Sequence, residues 1–446
     1  MERQMDTRME SLEAVAPEAQ RTQQDALTKL IPEFNHQLKD IARWWRDHSL
    51  DEAHGGFLGE VSVYNIPHTQ ADKGVVLNAR ILWFFSELGL HHRAQGESDV
   101  EAIALAQRAF DYFVQYFDDA EYGGAFWSLD YRGQVREAKK QTYAQAFCIY
   151  GFASFYRLTG NTQALDKAQA YFRKIEAHCV DRSLGGYVEA VAQDWSPVSD
   201  FRLSEKDLNA PKTMNNHLHV LEAYTGLYRA LPTEEVATAL RASIEWFCEY
   251  IVNEENGHLR LFLDMEWRDV SGGYSYGHDI EGSWLLEEAL EVLGDHGLEA
   301  RYMPLVRALG ESCLREGIGE RGQVLDHFDF KTHARQLDSE WWVQAEALVG
   351  FLNMWEVTGS DDYARAFNAV WKYVKSFQID HDDGEWLYHA SLYRASKGDQ
   401  RYKLGFWKGP YHNGRAMMEV SQRLARLVQQ ESDEKIQEEA VRETVA

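Results

Sequence analysis

A glycine followed by a short run of alternating apolar and polar residues recurs six times along this chain. The copies are His54-Gly-Gly-Phe-Leu, Tyr122-Gly-Gly-Ala-Phe, Leu184-Gly-Gly-Tyr-Val, Asn256-Gly-His-Leu-Arg, Arg321-Gly-Gln-Val-Leu and Asp383-Gly-Glu-Trp-Leu. Their marker glycines, Gly55, Gly123, Gly185, Gly257, Gly322 and Gly384, lie 62 to 72 residues apart. Any one copy is an ordinary turn and strand. Six at a nearly constant period signal a repeat architecture, in which each unit covers its apolar face only by stacking on its neighbours.

Two helical patterns fit inside each period. Apolar residues spaced by three and four mark them, as Leu27, Leu30, Ile31, Phe34, Leu38, Ile41 and Trp45 do in the first. The spacing predicts helices near 25–48 and 72–91, 99–118 and 142–160, and 161–179 and 213–231. In the second half it predicts 233–254 and 278–295, 297–317 and 338–359, and 360–378 and 409–432. Only eight prolines interrupt the chain, which suits a helix-dominated fold. The expectation is an all-α fold: an (α/α)6 barrel of six helix pairs, one helix of each pair inside, with short β-hairpins at one end. A polar N-terminal extension (1–24), a single barrel domain (25–430) and an acidic C-terminal tail (431–446) complete the division.

The repeat gathers residues that chain order scatters. The six helices that follow hairpins all start at the same end of such a barrel, so residues near their starts line one cavity. Those starts carry Asn78 and Arg80, Tyr143, Asn215 and His219, His278 and Glu281, Trp342 and Glu346, and His412. The richest stretch is Gly277-His278-Asp279-Ile280-Glu281, where an imidazole and a carboxylate three apart share a helix face. That pair is compatible with half of a metal site completed by His219 and His412, with an idle ion pair, or with acid/base chemistry, the preferred reading. In Asn215-Asn-His217-Leu-His219, two residues on a helix are rotated by roughly 200°, so His217 and His219 face opposite sides and a chelating pair is not expected.

Bulk properties remove whole classes of function. A formal net charge of −25 argues against a nucleic-acid partner or an anionic membrane surface, and favours a neutral small molecule. The 14 Trp and 22 Tyr suit sugar-binding walls as well as a core. Cys148, Cys179, Cys248 and Cys313 form no C-x-x-C pair and read as buried free thiols. The charged N-terminus has no apolar signal core, and no apolar run reaches the ~20 residues of a membrane span, so a cytoplasmic protein is expected. The chain has no P-loop, no G-x-G-x-x-G after a strand and no G-x-S-x-G elbow. No cofactor or metal is expected, and a monomer is the expected state.

Four segments, KTMNNHLHVLEAYTGLYR, SYGHDIEGSWLLEEA, EWWVQAEALVGF and GFWKGPYHNGR, resemble the cellobiose 2-epimerases of the wider N-acylglucosamine 2-epimerase superfamily. The resemblance covers about residues 28 to 428 in the right order. It implies an (α/α)6 barrel and a metal-free, nucleotide-free inversion at C2 of the reducing sugar of β-1,4-linked disaccharides. It implies His278 and His412 as the catalytic histidines, with Glu281, Arg80 and His219 assisting. Tyr143, Asp207, Asn215, Trp342, Glu346 and Trp407 are implied to bind substrate, with the choice between Trp341 and Trp342 open by one position. Asp279 and the Asn-x-His-x-His motif resemble the cellobiose branch. A monosaccharide 2-epimerase or aldose–ketose isomerase, a glycoside hydrolase and a non-catalytic sugar-binding protein are the rival expectations.

Overall fold

A computed structural model describes residues 24–204, 207–393 and 397–445. The chain runs through twelve long helices: α1 (Ile31–His48), α2 (Val75–Ala94), α3 (Val100–Tyr112), α4 (Thr142–Thr159), α5 (Thr162–His178), α6 (Met214–Ala230), α7 (Glu234–Trp246), α8 (Tyr276–Leu293), α9 (His296–Ser312), α10 (Trp341–Thr358), α11 (Asp361–Tyr373) and α12 (Tyr411–Val445). The even-numbered helices are apolar on almost every side up to the tail of α12, and a helix without a polar face has to be covered all round. They meet this by standing in a closed ring in which each packs on the next and α12 packs on α2. The odd-numbered helices carry one apolar stripe and lie outside, each against the inner helix that precedes it, with α1 against α12. This is the expected (α/α)6 barrel.

Short connections follow from capping. At Gly294 the backbone turns left-handed (φ 67°), which a glycine adopts without steric cost, and Asp295 then caps α9 through the N–H groups of Gly297 and Leu298. Four outer helices, α3, α7, α9 and α11, widen into a five-residue π-turn before they end, at Phe113–Phe117, Phe247–Ile251, Cys313–Gly317 and Val374–Gln378.

The hairpins form a rim around one end. The strand entering each inner helix pairs antiparallel with a strand of the next repeat. Lys73–Gly74 joins Ser128–Leu129, Lys140–Gln141 joins Ala190–Val191, Lys212–Thr213 joins Phe262–Leu263, and Gly273–Ser275 joins His327–Asp329. Glu340 bridges His389, and Tyr402–Leu404 returns to Val61–Ser62 and closes the circle.

Two side-chain devices recur with the fold, each in four of the six hairpin units. An aspartate four residues before the marker glycine pairs with a buried lysine on the next entering strand: Asp51 with Lys73 at 2.8 Å, Asp119 with Lys140 at 2.8 Å, Asp181 with Lys212 at 2.9 Å and Asp380 with Lys403 at 2.9 Å. A polar side chain at the fourth position of an inner helix accepts a hairpin N–H. Gln145 takes that of Ala125, His217 that of Tyr187, Asp279 that of Leu259 and Gln344 that of Val324, at 2.8 to 3.0 Å. At Gly186 (φ 80°) the fit is so close that a Cβ would lie 2.4 Å from Trp267 and 2.8 Å from His217 Nε2.

The four cysteines are buried and free, as expected. No helix among the described residues is long and apolar enough to cross a membrane. The expected N-terminal extension lies, but for residue 24, outside the described residues, and α12 carries its helical backbone on through the expected tail to Val445.

Candidate active site

The inner-helix starts converge as the repeat requires. Arg80, Tyr143, Asn215, His219, His278, Glu281, Trp342, Trp407 and His412 line one cavity of about 180 Å³, together with Glu340, Trp341 and Tyr388. Helix α2 contributes Arg80, α4 Tyr143, α6 Asn215 and His219, α8 His278 and Glu281, α10 Trp341 and Trp342, and α12 His412, while Trp407 comes from the turn before α12.

Each of three imidazoles is tethered through Nδ1. His412 Nδ1 lies 2.6 Å from Glu346 Oε1, and His219 Nδ1 lies 2.8 Å from Glu222 Oε2. A carboxylate only accepts, so in both rings Nδ1 carries the proton and Nε2 keeps the lone pair. His278 Nδ1 meets the hydroxyl of Ser275 at 2.8 Å, and the same hydroxyl caps α8 by accepting the His278 N–H. The Trp342 ring lies 4.6 Å from that of His278 and 5.8 Å from that of His412. Burial keeps all three imidazoles neutral. It lowers His278 to about 3, with His219 adding to the effect. It carries His412 well below the usual histidine range, helped by the charges of Arg80 and Arg415, and it lowers His219 against the pull of Glu222.

Arg80 is the cation facing this cavity. It donates to Tyr143 Oη at 2.7 Å and to the Trp407 carbonyl at 3.3 Å, and its guanidinium lies over the rings of Phe147 and Tyr411 at 4.4 and 4.7 Å. Its Nε is buried without a partner. Burial pushes the Tyr143 phenol up to about 12 against the opposing charge of Arg80, so the phenol stays protonated.

Beneath the imidazoles lie three buried carboxylates, Glu222, Glu281 and Glu346, gathered by Arg415. Its Nη2 donates to Glu346 at 2.7 Å and to Glu281 at 2.9 Å, and its Nη1 donates to Glu222. Trp284 Nε1 adds a bond to Glu346 at 3.1 Å. Burial and the neighbouring Glu346 push Glu281 well above the carboxylate range. Its Oε2 is buried without a partner. Glu281, Glu346 and His412 bring ligand atoms within 4.8 Å of one another, near enough to share a cation. The Arg415 guanidinium already supplies a positive charge to both carboxylates.

Several expected placements change. Glu346, expected to bind substrate, does not line the cavity; it sits fully buried behind His412 as an orienting group. Glu281 approaches His412 Nδ1 (3.9 Å) rather than His278, whose ring turns to Ser275. Asp279 belongs to the hairpin clamp: it is fully buried, accepts from Leu259 N and pairs with His258 at 2.7 Å, away from the cavity. Trp341 and Trp342 both line the cavity, but Trp341 is buried against Tyr388 and Trp342 is the one whose ring lies tilted against His278. His217 and His219 do face apart.

A neighbouring cavity of about 160 Å³ shares Asn215 and His278 with the first. Phe201, Leu203, Leu208 and Phe262 give it apolar walls, and Asp207 and Glu189 give it acceptors. Sequence reasoning placed Asp207 near substrate but missed Glu222, Glu340, Tyr388, Ser275 and Arg415. Two of these carried a signal: Glu222 follows His219 by three residues and Arg415 follows His412 by three, so each shares a helix face with its histidine.

The same architecture recurs in known proteins. Residues 56–412 match the family model of N-acylglucosamine 2-epimerase. A cellobiose 2-epimerase of Bacteroides fragilis is 38% identical over 90% of this chain and 98% of its own length, and one from Ruminococcus albus is 35% identical over 88% and 98%. The structure of a cellobiose 2-epimerase from Bacillus thermoamylovorans superposes with a TM-score of 0.83 at 32% identity, covering 89% of this chain and 99% of the other. The chain belongs to the N-acylglucosamine 2-epimerase family and is an isomerase acting as a sugar 2-epimerase.

Proposed function

We propose that this enzyme interconverts glucose and mannose at the reducing end of β-1,4-linked disaccharides, without a cofactor, by two-histidine proton transfer through a cis-enediolate. The observation that carries the reading is the pair of neutral imidazoles, His278 and His412, on the wall of one cavity with Trp342 against both. Epimerisation at C2 requires an open-chain aldehyde, removal of the weakly acidic C2 proton and return of a proton to the opposite face. Two bases therefore have to flank C2, and an imidazole that burial keeps neutral has a free lone pair on Nε2 or Nδ1 to take the proton.

The supporting groups fit these steps. Arg80 and the Tyr143 hydroxyl are donors for the oxygen that becomes negative in the enediolate, in a site where burial strengthens each hydrogen bond. Glu281 and His219, both on the cavity wall, assist opening of the sugar ring in this reading. Trp342 and Trp407 offer flat faces for sugar rings. The adjoining cavity, which shares Asn215 and His278 with the first, supports a second sugar unit over a lone monosaccharide, and it is where Asp207 meets substrate in this reading. A hydrolase would need two carboxylates flanking the scissile bond. Here the two carboxyl groups on the cavity wall are engaged by the protein: Glu281 accepts from Arg415 at 2.9 Å and Glu340 from Trp342 Nε1 at 2.9 Å, while Glu346 and Glu222 lie behind the imidazoles.

The test is NMR of cellobiose and, separately, mannose with the protein in D₂O. Deuterium at C2 with a mannose-type reducing end on the disaccharide supports the proposal. Faster conversion of mannose transfers the reading to a monosaccharide enzyme. A ketose as the main product indicates an aldose–ketose isomerase, and no exchange with either sugar sinks the proposal.

A further inference from the structure

We infer that Arg415 is a positioning residue that sets the tautomer and basicity of two cavity imidazoles at once, by holding the carboxylates on which they rest. The inference rests on the proposed proton-transfer function. Arg415 is not on the wall of the sugar cavity. It is 2% exposed and fills the floor, with a separate polar cavity of about 340 Å³ on its far side. It therefore acts through other groups.

The connection runs in both directions from one guanidinium. On one side Nη2 donates to Glu346 Oε1 at 2.7 Å, and that same oxygen receives His412 Nδ1 at 2.6 Å. On the other side Nη1 donates to Glu222 Oε1, which the Tyr411 hydroxyl also meets, while Glu222 Oε2 receives His219 Nδ1 at 2.8 Å. The guanidinium lies over the rings of Tyr411 and Trp284 at 4.2 and 4.7 Å, which fixes its plane. Such a fork is specific to arginine; a lysine ammonium presents one point charge and cannot reach three carboxylates in fixed directions.

Charge balance gives the sign of the effect. Arg415 donates to Glu222, Glu281 and Glu346 and brings one positive charge to the three. Without Arg415 the cluster carries one extra negative charge, and the neighbouring imidazoles bind protons more readily. The titratable and charged groups facing His412 are Arg80 from α2, His219 and Glu222 from α6, Glu281 from α8, Glu346 from α10, and Tyr411 and Arg415 from α12. Of these, only Arg415 touches all three carboxylates.

The experiment compares wild type, Arg415→Met and Arg415→Lys. Melting and circular dichroism report folding, ¹⁵N shifts report the His412 and His219 imidazoles across pH, and kcat and KM on cellobiose are read over the same range. Arg415→Met is expected to raise the imidazole pKa values and move the acid limb of kcat/KM to higher pH by about one unit. Its kcat should fall more than tenfold, with KM within threefold. Arg415→Lys is expected to keep the limb within a few tenths of a unit and still lose kcat. Unmoved imidazole shifts in both folded variants, or a loss confined to KM, would overturn the inference. If Arg415→Met does not fold, Arg415→Lys decides alone, because wild-type kcat with a lysine refutes a role for the fork. The imidazole titration needs no turnover, so an inactive wild type would fail the proposed function and leave the Arg415 test standing.

Discussion

Replacing Glu346 by glutamine separates an orienting carboxylate from a substrate ligand. The side chain keeps its size, but its amide nitrogen cannot accept. In the native site Glu346 accepts from His412 Nδ1 at 2.6 Å, Arg415 Nη2 at 2.7 Å and Trp284 Nε1 at 3.1 Å. Loss of one buried charge-assisted hydrogen bond costs about 1.5–3 kcal/mol, which is about 10- to 150-fold in rate. An acid-to-amide change behind a catalytic histidine also scrambles the tautomer and costs about 10⁴-fold in the serine-protease triad. Glu346→Gln is therefore expected to lower kcat by about 10²- to 10⁴-fold. KM should stay within about threefold, since Glu346 is not on the cavity wall. With a negative charge removed, the His412 imidazolium loses support, and the acid limb of the pH profile moves down, opposite to the shift expected for Arg415→Met. Because burial holds the imidazoles below the usual histidine range, initial rates on cellobiose from about pH 3 to 9 measure both effects, with a thermal melt at each pH to confirm folding. A variant whose kcat stays within threefold of wild type, or whose loss lies wholly in KM, refutes the orienting role.

Three further outcomes follow from the hairpin devices. Asp279→Ala leaves the Leu259 N–H and the His258 ring without their acceptor, a loss of about 1–3 kcal/mol for each buried group. Its Tm should fall by several degrees while the ratio of cellobiose to mannose turnover stays at the wild-type value; a changed ratio would return Asp279 to substrate selection. Lys140→Met strands Asp119 in a buried setting and is expected to cost about 3–5 kcal/mol in a urea melt, part of which Lys140→Met/Asp119→Asn restores. His217, which burial lowers to about 4, has a folded value below its unfolded one, so its contribution is complete above about pH 6.5 and is lost as pH falls toward 4. His217→Gln installs the residue type used at Gln145 and Gln344, and urea melts at pH 7 and pH 5 should show a smaller loss of stability than wild type.

The barrel was legible because its cause is periodic. Six marker glycines at a near-constant interval, and two helical patterns between them, locate all twelve helices; with the π-turns counted, the larger differences are at the start of α1, Ile31 against 25, and the end of α12, Val445 against 432. The cavity was legible for the same reason: residues near six helix starts meet wherever six helices start together. What lay beyond the sequence was direction. Whether Glu281 serves His278, three residues away, or His412, 131 positions on, depends on side-chain rotation and on where Arg415 pulls the carboxylate. Glu346 looked like a cavity acceptor because it shares a face with Trp342, yet it lies one turn deeper. In sequence, Asp279 stands out only as a residue that resembles the cellobiose branch. An overlay of the repeats exposes its structural role, since it occupies the fourth helix position that Gln145, His217 and Gln344 occupy in other units.

The most direct test of two-base chemistry is deuterium exchange at C2 in His278→Gln and His412→Gln, each followed by NMR in D₂O from both the glucose-type and the mannose-type disaccharide. Two bases on opposite faces predict that inversion falls by at least about 10³-fold in each variant. Residual exchange should then label the glucose-type sugar in one variant and the mannose-type sugar in the other. Exchange into the same epimer in both variants, or inversion near the wild-type rate in either, would contradict the account.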